Sequence, residues 1–175
     1  MRQRLQGKVA VITGAASGIG EAAVELFVDQ GCQVLAADKN EAAGAALADR
    51  LGPAVHFMPC DVTDCAQLKA AIDGAAAHFG GLDILFSNAG AGGTAAGVEA
   101  FDPASWDHTQ ALLLRSVAAG AAYAVPHMRQ RGGGSIVNTS SVSALQAGYA
   151  PLCYSVAKAG VLHYTRVAAA ELAPQ

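Results

Sequence analysis

The sequence predicts an α/β fold with a doubly wound parallel sheet, on three observations. Short apolar runs alternate with helix-like segments along the chain. The runs are continuously apolar, which is typical of strands buried on both faces of a parallel sheet. A glycine-rich segment, residues 13–20, follows the first run and opens a helix. The repeated β-α order implies parallel strands joined by right-handed crossovers.

Five strands and five helices are expected in order along the chain. The strands are residues 8–12, 33–37, 54–58, 82–86 and 135–139, and the helices are residues 19–30, 41–51, 64–79, 103–129 and 152–172. Glycine and proline turn signals separate them, as at residues 52–53 and 80–81, and none has the composition of a domain linker. We therefore expect residues 1–175 to form a single domain.

Composition and charge exclude several classes of protein. Hydrophobic residues make up 53% of the chain and charged residues 14%, which excludes a disordered protein and predicts a large core. The formal net charge of -3 offers no basic surface to a phosphate backbone, so we expect no nucleic-acid partner. The four cysteines are scattered and show no metal-ligand spacing, so we expect reduced thiols and no metal site.

No segment of the sequence predicts a signal peptide or a membrane span. The N-terminus runs into the first predicted strand without an apolar leader. The most apolar stretch, residues 111–125, contains Arg115 and is followed by Pro126, so it falls short of the roughly 20 apolar residues that cross a bilayer. We expect no membrane partner and a cytoplasmic location.

The glycine-rich segment carries Gly14, Gly18 and Gly20 between a strand and a helix. Glycines there permit a tight turn and close backbone approach, so a pyrophosphate can bind to free N–H groups at the positive end of the helix. Ordinary β-α loops can also be rich in glycine, but the placement between strand and helix favours a nucleotide.

Asp38 ends the second predicted strand, about 20 residues beyond the glycine-rich segment. A carboxylate at this place can accept hydrogen bonds from adenosine ribose hydroxyls, and it would repel a 2′-phosphate. The pattern therefore favours NAD over NADP, although Lys39 follows directly. The alternative is that Asp38 caps the next helix.

Ser141, Tyr154 and Lys158 follow the fifth predicted strand. Tyr154 and Lys158 are four residues apart and hence on one face of a helix. Tyrosine hydroxyls in general need a nearby cation to act as bases near neutral pH. The spacing by itself is common on protein surfaces, and it gains meaning from the motifs that precede it.

Together these motifs resemble the classical short-chain dehydrogenase/reductase family, which has a Rossmann-type fold. The resemblance runs from Gly7 to the end of the chain. Residues similar to the family's cofactor-binding positions are Gly14, Ser17, Gly18, Ile19, Gly20, Asp38, Asp61, Val62, Asn88, Ala89, Gly90, Tyr154 and Lys158. The resemblance implies that the glycine-rich segment binds the pyrophosphate, that Asp61 and Val62 border the adenine, and that residues 88–90 border the cofactor.

The resemblance also implies a chemistry. Tyr154 would be the general acid/base, Lys158 would bind the nicotinamide ribose and favour the ionised tyrosine, and Ser141 would hold the substrate oxygen. The protein would then be an NAD-dependent oxidoreductase that interconverts a small-molecule secondary alcohol and a ketone by hydride transfer.

The sequence departs from the family pattern at three places. Ser87 stands where the family often has an asparagine, and Leu113 stands where it usually has an asparagine that helps hold a proton-relay water. The family also continues beyond the position of Gln175 into two further strands, so the domain is expected to lack the last strands of the sheet. For these 175 residues by themselves we expect weak NADH binding and little turnover.

Alternatives to an enzyme therefore stay open. A non-catalytic dinucleotide-binding fragment, or a degenerate relative that acts as a partner subunit, is the first of them, and a nucleotide-free scaffold is the second. The helices at residues 103–129 and 152–172 are apolar around most of their circumference, which predicts a homo-oligomer, a dimer or tetramer, packed through these helices.

Overall fold

A parallel sheet forms the centre of the molecule in the computed structural model, which describes residues 3–93 and 95–173. The described residues form five strands in the order β3-β2-β1-β4-β5. The strands are β1 (Val9–Thr13), β2 (Gln33–Asp38), β3 (Val55–Pro59), β4 (Ile84–Ser87) and β5 (Ser135–Asn138). All four neighbouring pairs are parallel, so the predicted doubly wound fold is confirmed.

The central strand shows why the apolar runs are continuous. Every residue of β1 is buried, and successive side chains point to opposite faces of the sheet. Val9 and Val11 belong to one hydrophobic core, and Ala10 and Ile12 belong to the other. A helical layer therefore covers each face, as a sheet without a polar side requires.

The described residues form six α-helices, four of which match predicted helices closely, while two correspond to the predicted helix at residues 103–129. They are α1 (Gly18–Asp29), α2 (Glu41–Leu51), α3 (Cys65–Phe79), α4 (Pro103–Gln110), α5 (Ser116–Gln130) and α6 (Leu152–Leu172). Asn40, Asp64 and Asp102 begin α2, α3 and α4, because each side chain accepts a hydrogen bond from a free backbone N–H of the first turn. No described helix combines the length and the apolar character needed to cross a bilayer.

The prediction of one regular helix over residues 103–129 is wrong in its middle. A π-helical turn, Ala111–Arg115, separates α4 from α5. A five-residue π-turn has the same apolar composition as an α-helix, so periodicity in the sequence does not reveal it.

The fold brings the predicted site residues to one edge of the sheet. The chain crosses over between the neighbouring strands β1 and β4, whose carboxyl ends flank a crevice. Ligands of doubly wound sheets bind at such a switch point. Among the described residues β5 pairs with β4 only, and Val137 on it is 47% exposed.

Candidate active site

A cleft of about 680 Å³ lies at the carboxyl edge of the sheet. Every predicted site residue except Gly20 lines it. The lining ones are Gly14, Ser17, Gly18, Ile19, Asp38, Asp61, Val62, Asn88, Ala89, Gly90, Ser141, Tyr154 and Lys158. Residues from six separate stretches of the chain are thus brought together at one place.

The glycine-rich segment is shaped by two close approaches. Gly14 has a φ of 64°, and a Cβ there would lie 2.8 Å from the Cα of Ala89. Gly20 lies beneath the cleft, where a Cβ would lie 1.9 Å from the carbonyl oxygen of Gly14. A side chain at Gly14 would therefore collide with Ala89, and a side chain at Gly20 would push the start of α1 away from the loop.

The start of α1 leaves anion-binding groups free. Ser17 is the N-cap, but its exposed side chain makes no capping hydrogen bond. The first N–H groups of a helix point outward with partial positive charge, and this is a common site for phosphates. Ile19, 68% exposed, covers one side of the same opening.

Asp38 is held in a fixed orientation at the end of β2. One carboxylate oxygen accepts a hydrogen bond from the Ala16 N–H at 2.9 Å, and the other accepts one from the Asn40 N–H at 2.9 Å. The side chain of Asn40, not that of Asp38, caps α2. The sequence alternative of Asp38 as a helix cap is therefore wrong, and Asp38 instead ties the glycine-rich segment to the end of β2.

Asp61 and Val62 follow β3 and line the cleft on the same side of the sheet as Asp38. Oδ1 of Asp61 accepts hydrogen bonds from the backbone N–H and the hydroxyl of Thr63, and these bonds lower the pKa of the Asp61 carboxyl below its ordinary value. Val62 is 5% exposed and presents an apolar surface beside this carboxylate.

Thr13 joins the ends of β1 and β4. Its hydroxyl accepts hydrogen bonds from the N–H groups of Asn88 and Ala89, both at 3.1 Å, and the Asn88 amide donates back to the Thr13 carbonyl at 3.2 Å. These bonds fix residues 88–90 against the glycine-rich segment. Thr13 is 4% exposed, and its role depends on a contact more than 70 residues away, which the sequence pattern does not show.

Ser141 lies directly after the β5 end of the cleft. It caps a short 3-10 turn, and its Oγ accepts a hydrogen bond from the hydroxyl of Ser143 at 3.0 Å. Ser143 is 6% exposed, so this second hydroxyl is fixed. The sequence gives no signal that distinguishes Ser143 from other serines near Ser141.

Tyr154 and Lys158 lie on one face of α6, as the four-residue spacing predicts. The Nζ atom of Lys158 is 5.7 Å from the centre of the Tyr154 ring. It donates a hydrogen bond to the Thr139 carbonyl at 2.7 Å, and Lys158 is only 4% exposed. Burial lowers the pKa of the Lys158 ammonium from its ordinary value. Tyr154, Lys158 and Ser141 line the cleft on the β5 side of the sheet, whereas Asp38 lies at the end of β2.

The described residues contain no group of three or more His, Cys, Asp or Glu side chains that could hold a metal ion. The polar groups of the cleft include backbone N–H groups, hydroxyls, two carboxylates and the buried Lys158 ammonium. Such a set suits an elongated ligand with phosphates in its middle and hydroxyls at both ends.

The sheet order and the glycine-rich loop at its switch point define a Rossmann-type α/β protein. The sequence profile described as short chain dehydrogenase matches residues 8–175. The chain therefore belongs to the short-chain dehydrogenase family, which confirms the resemblance.

Individual relatives agree with the family assignment. Sex determination protein tasselseed-2 of Zea mays is 41% identical over 98% of this chain and 53% of its own length. (+)-Borneol dehydrogenase 1 of Salvia officinalis is 37% identical over 97% of this chain and 66% of its own length. The crystal structure of a short chain dehydrogenase/reductase from Burkholderia phymatum in complex with NAD superimposes with a TM-score of 0.91 at 33% identity, covering 97% of this chain and 62% of that one. The chain thus spans between about half and two thirds of the length of these relatives.

Proposed function

We propose that this domain is part of an NAD-dependent oxidoreductase that interconverts a secondary alcohol and a ketone. One observation carries the proposal: a single cleft joins the open start of α1 and Asp38 at one end to Ser141, Tyr154 and Lys158 at the other. A relative of the chain is named a borneol dehydrogenase, and a structural neighbour was crystallised with NAD. Both names support a dehydrogenase chemistry for this cleft.

The residues of the cleft fit a dinucleotide. Because Gly20 has no Cβ, the loop lies close to the helix start, where a pyrophosphate can accept backbone hydrogen bonds. Because Gly14 has no Cβ, Ala89 can approach the loop from the other side. The Ser17 hydroxyl is free of a capping bond and can donate to the same group. Asp61 and Val62 offer a polar and an apolar wall to the adenine.

Asp38 supports a preference for NAD over NADP. Its carboxylate is oriented by Ala16 and Asn40, and lone pairs remain to accept hydrogen bonds from ribose hydroxyls. A 2′-phosphate at the same place would be repelled by this carboxylate. Lys39 also lines the cleft and offers a weaker, exposed attraction to the phosphate.

We expect Asp38→Ala to narrow the preference for NADH. The ratio of NADH to NADPH affinity should fall by about tenfold, as when a repulsion of about 1.4 kcal/mol is removed. Fluorescence titration with NADH and with NADPH gives the ratio. Any loosening of the loop would weaken the binding of both cofactors alike and would leave the ratio unchanged. Asp49→Ala, the same change at an exposed position on α2, is the control and should leave the ratio unchanged. Equal affinities in the unmodified protein would contradict the NAD assignment.

The chemical step would use the three side chains at the other end. NAD bound in the cleft supplies the acceptor for the hydride of the alcohol carbon. Tyr154 takes the alcohol proton during oxidation and returns it during reduction. Lys158 places a fixed positive charge beside the tyrosine and keeps N–H groups for the nicotinamide ribose. Ser141, held by Ser143, donates a hydrogen bond to the substrate oxygen.

The test of this function is oxidation of a panel of secondary alcohols with NAD, monitored by NADH absorbance, together with NADH binding measured separately. Binding with turnover of at least one alcohol supports the enzyme. Tight NADH binding without turnover of any member supports the non-catalytic alternative, which Leu113 favours because its buried apolar side chain cannot hold a water. The absence of NADH binding would overturn both the enzyme and the non-catalytic dinucleotide-binding protein.

The assembly and location of the protein stay predictions. α6 exposes three large apolar side chains, Leu152, Val156 and Val167, at 42–51% of their surface. These faces support the predicted homo-oligomer. The homo-oligomer, the cytoplasmic location and the single-domain organisation of residues 1–175 all remain part of the proposal.

A further inference from the structure

The π-turn between α4 and α5 is closed by an unusual pair of bonds at Ser116. The Ser116 N–H donates to the carbonyl of Ala111, five residues back, instead of to Leu112. The Leu112 carbonyl would then lack its helical donor, but the Ser116 hydroxyl donates to it at 2.6 Å. Ser116 is 8% exposed, so solvent does not replace this donor. One side chain therefore satisfies the carbonyl that the wide turn leaves open.

The wide turn presents its leucines to the candidate active site. Leu113, at the centre of the turn, is 1% exposed, and its Cδ2 lies 3.1 Å from where a Cβ on Gly90 would stand. Lys158 Nζ lies 3.9 Å from the same point. Leu114 packs on α6, because a Cβ on Gly160 would be 2.8 Å from its Cδ2. The turn thus lies against the helix that carries Lys158.

The Lys158 ammonium has few polar neighbours. It donates a hydrogen bond to the Thr139 carbonyl, and it forms no ion pair among the described residues.

The elements packed around Lys158 also carry charged and titratable groups. Arg115 of the π-turn donates to the Thr63 carbonyl. Asp107 and His108 are on α4, and Tyr154 and His163 share α6 with Lys158. The carboxylates of the cleft are those of Asp38 and Asp61 at its other end.

We infer that Ser116 is a positioning residue: its bond to the Leu112 carbonyl maintains the π-turn, which holds Leu113 over Gly90 and keeps water away from the Lys158 ammonium. The inference rests on the proposed function only for the use of Lys158 in catalysis. An ammonium shielded from water exerts a stronger field on a neighbouring hydroxyl than a hydrated one. The turn would therefore control the effect of Lys158 on Tyr154 without touching the substrate.

Titration of the lysines tests the inference without any need for activity. The whole sequence contains four lysines, so protein labelled with ¹³C-lysine gives four Cε resonances. Lys158→Arg identifies the resonance of Lys158, and Lys8, Lys39 and Lys69 serve as exposed references. We expect Lys158 to titrate at a lower pH than these three, in agreement with the effect of burial on its pKa.

Two variants should hydrate Lys158. Leu113→Asn replaces the apolar cover with a polar group that branches at the same atom, and Ser116→Ala leaves the Leu112 carbonyl without a donor, so that the turn relaxes towards α-helix. In each we expect the Lys158 midpoint to rise by about one pH unit towards the other lysines. The affinity of the same variants for NADH is measured in a separate titration, and it tests the proposed function independently of the Lys158 midpoint.

Thr109→Val is the matched control. The Thr109 hydroxyl donates to the Ser105 carbonyl four residues back, the same bond as in Ser116, but within the regular helix α4. Its removal should leave the Lys158 midpoint unchanged. A Lys158 that titrates with the three references in the unmodified protein overturns the inference, as does an unchanged midpoint in folded Ser116→Ala. If Ser116→Ala fails to fold, an unchanged midpoint in Leu113→Asn decides against it.

Discussion

Tyr154→Phe is expected to reduce turnover with NAD by about a thousandfold while leaving NADH affinity within about twofold of the unmodified protein. The substitution removes the hydroxyl that would exchange a proton with the alcohol. It keeps the ring that lies 5.7 Å from the Lys158 ammonium, so the packing around Lys158 is preserved. Initial rates with the best alcohol of the panel and a parallel NADH titration measure the two effects.

Tyr164→Phe provides the control for the loss of a tyrosine hydroxyl on the same helix. The Tyr164 hydroxyl donates to the Ala118 carbonyl at 3.5 Å, outside the cleft. We expect turnover close to that of the unmodified protein. Normal kcat in Tyr154→Phe, or an equal loss in both variants, would remove Tyr154 from the proposed mechanism.

The fold was predictable from the sequence because its strands are short and buried on both sides. A run such as residues 34–37 has no polar residue, and Gly31 before it and the polar residues 38–40 after it leave little freedom in where it ends. The predicted strand bounds differ from the observed ones by at most two residues, and α2 and α6 begin and end at the predicted residues.

The π-turn was not predictable in the same way. The hydrogen bond from the Ser116 hydroxyl to the Leu112 carbonyl accompanies it, and a serine in the middle of an apolar helix is equally compatible with regular α geometry. Hydrophobic periodicity averages over several turns, so a single inserted residue does not change it enough to be noticed.

The residues that form the site were predictable from the sequence, but the hydrogen bonds that hold them in place were not. The motif residues could be placed at one sheet edge because parallel strands end on the same side. The contacts of Asp38 with Ala16, of Thr13 with Asn88 and of Ser143 with Ser141 could not, because each depends on side-chain direction after folding. These contacts fix the loops of the cleft, and they follow from the three-dimensional arrangement rather than from any motif.

At the opposite edge of the sheet, Asp83 connects the starts of three strands. Its carboxylate accepts hydrogen bonds from the Val9 N–H at 2.9 Å, from Lys8 at 3.2 Å and from Arg131 at 3.0 Å. The backbone N–H of Asp83 donates a hydrogen bond to the Val9 carbonyl, and the backbone carbonyl of Asp83 accepts one from the Ser135 N–H. Asp83 is 5% exposed, so these partners replace the water that its charge would otherwise require.

The pKa of Asp83 sets the direction of a pH effect on stability. Burial by itself would raise the pKa of this carboxyl, but the hydrogen bonds from Arg131, Val9 and Lys8 outweigh burial, and the pKa lies below its ordinary value. The unfolded chain has the ordinary pKa of about 3.9, so the folded state gains stability from Asp83 above that pH. The gain is lost as the pH falls through the lowered folded pKa.

We therefore expect Asp83→Asn to lower the free energy of unfolding by about 3 kcal/mol at pH 7, because it leaves Arg131 without its buried counter-charge. The difference from the unmodified protein should shrink between about pH 5 and pH 2, since protonation removes the same charge. Urea unfolding followed by circular dichroism at several pH values measures both effects. Asp73→Asn, which breaks exposed ion pairs to Lys69 and His127, should cost less than about 1 kcal/mol. A loss in Asp83→Asn no greater than in Asp73→Asn would show that this buried charge does not hold the three strands together.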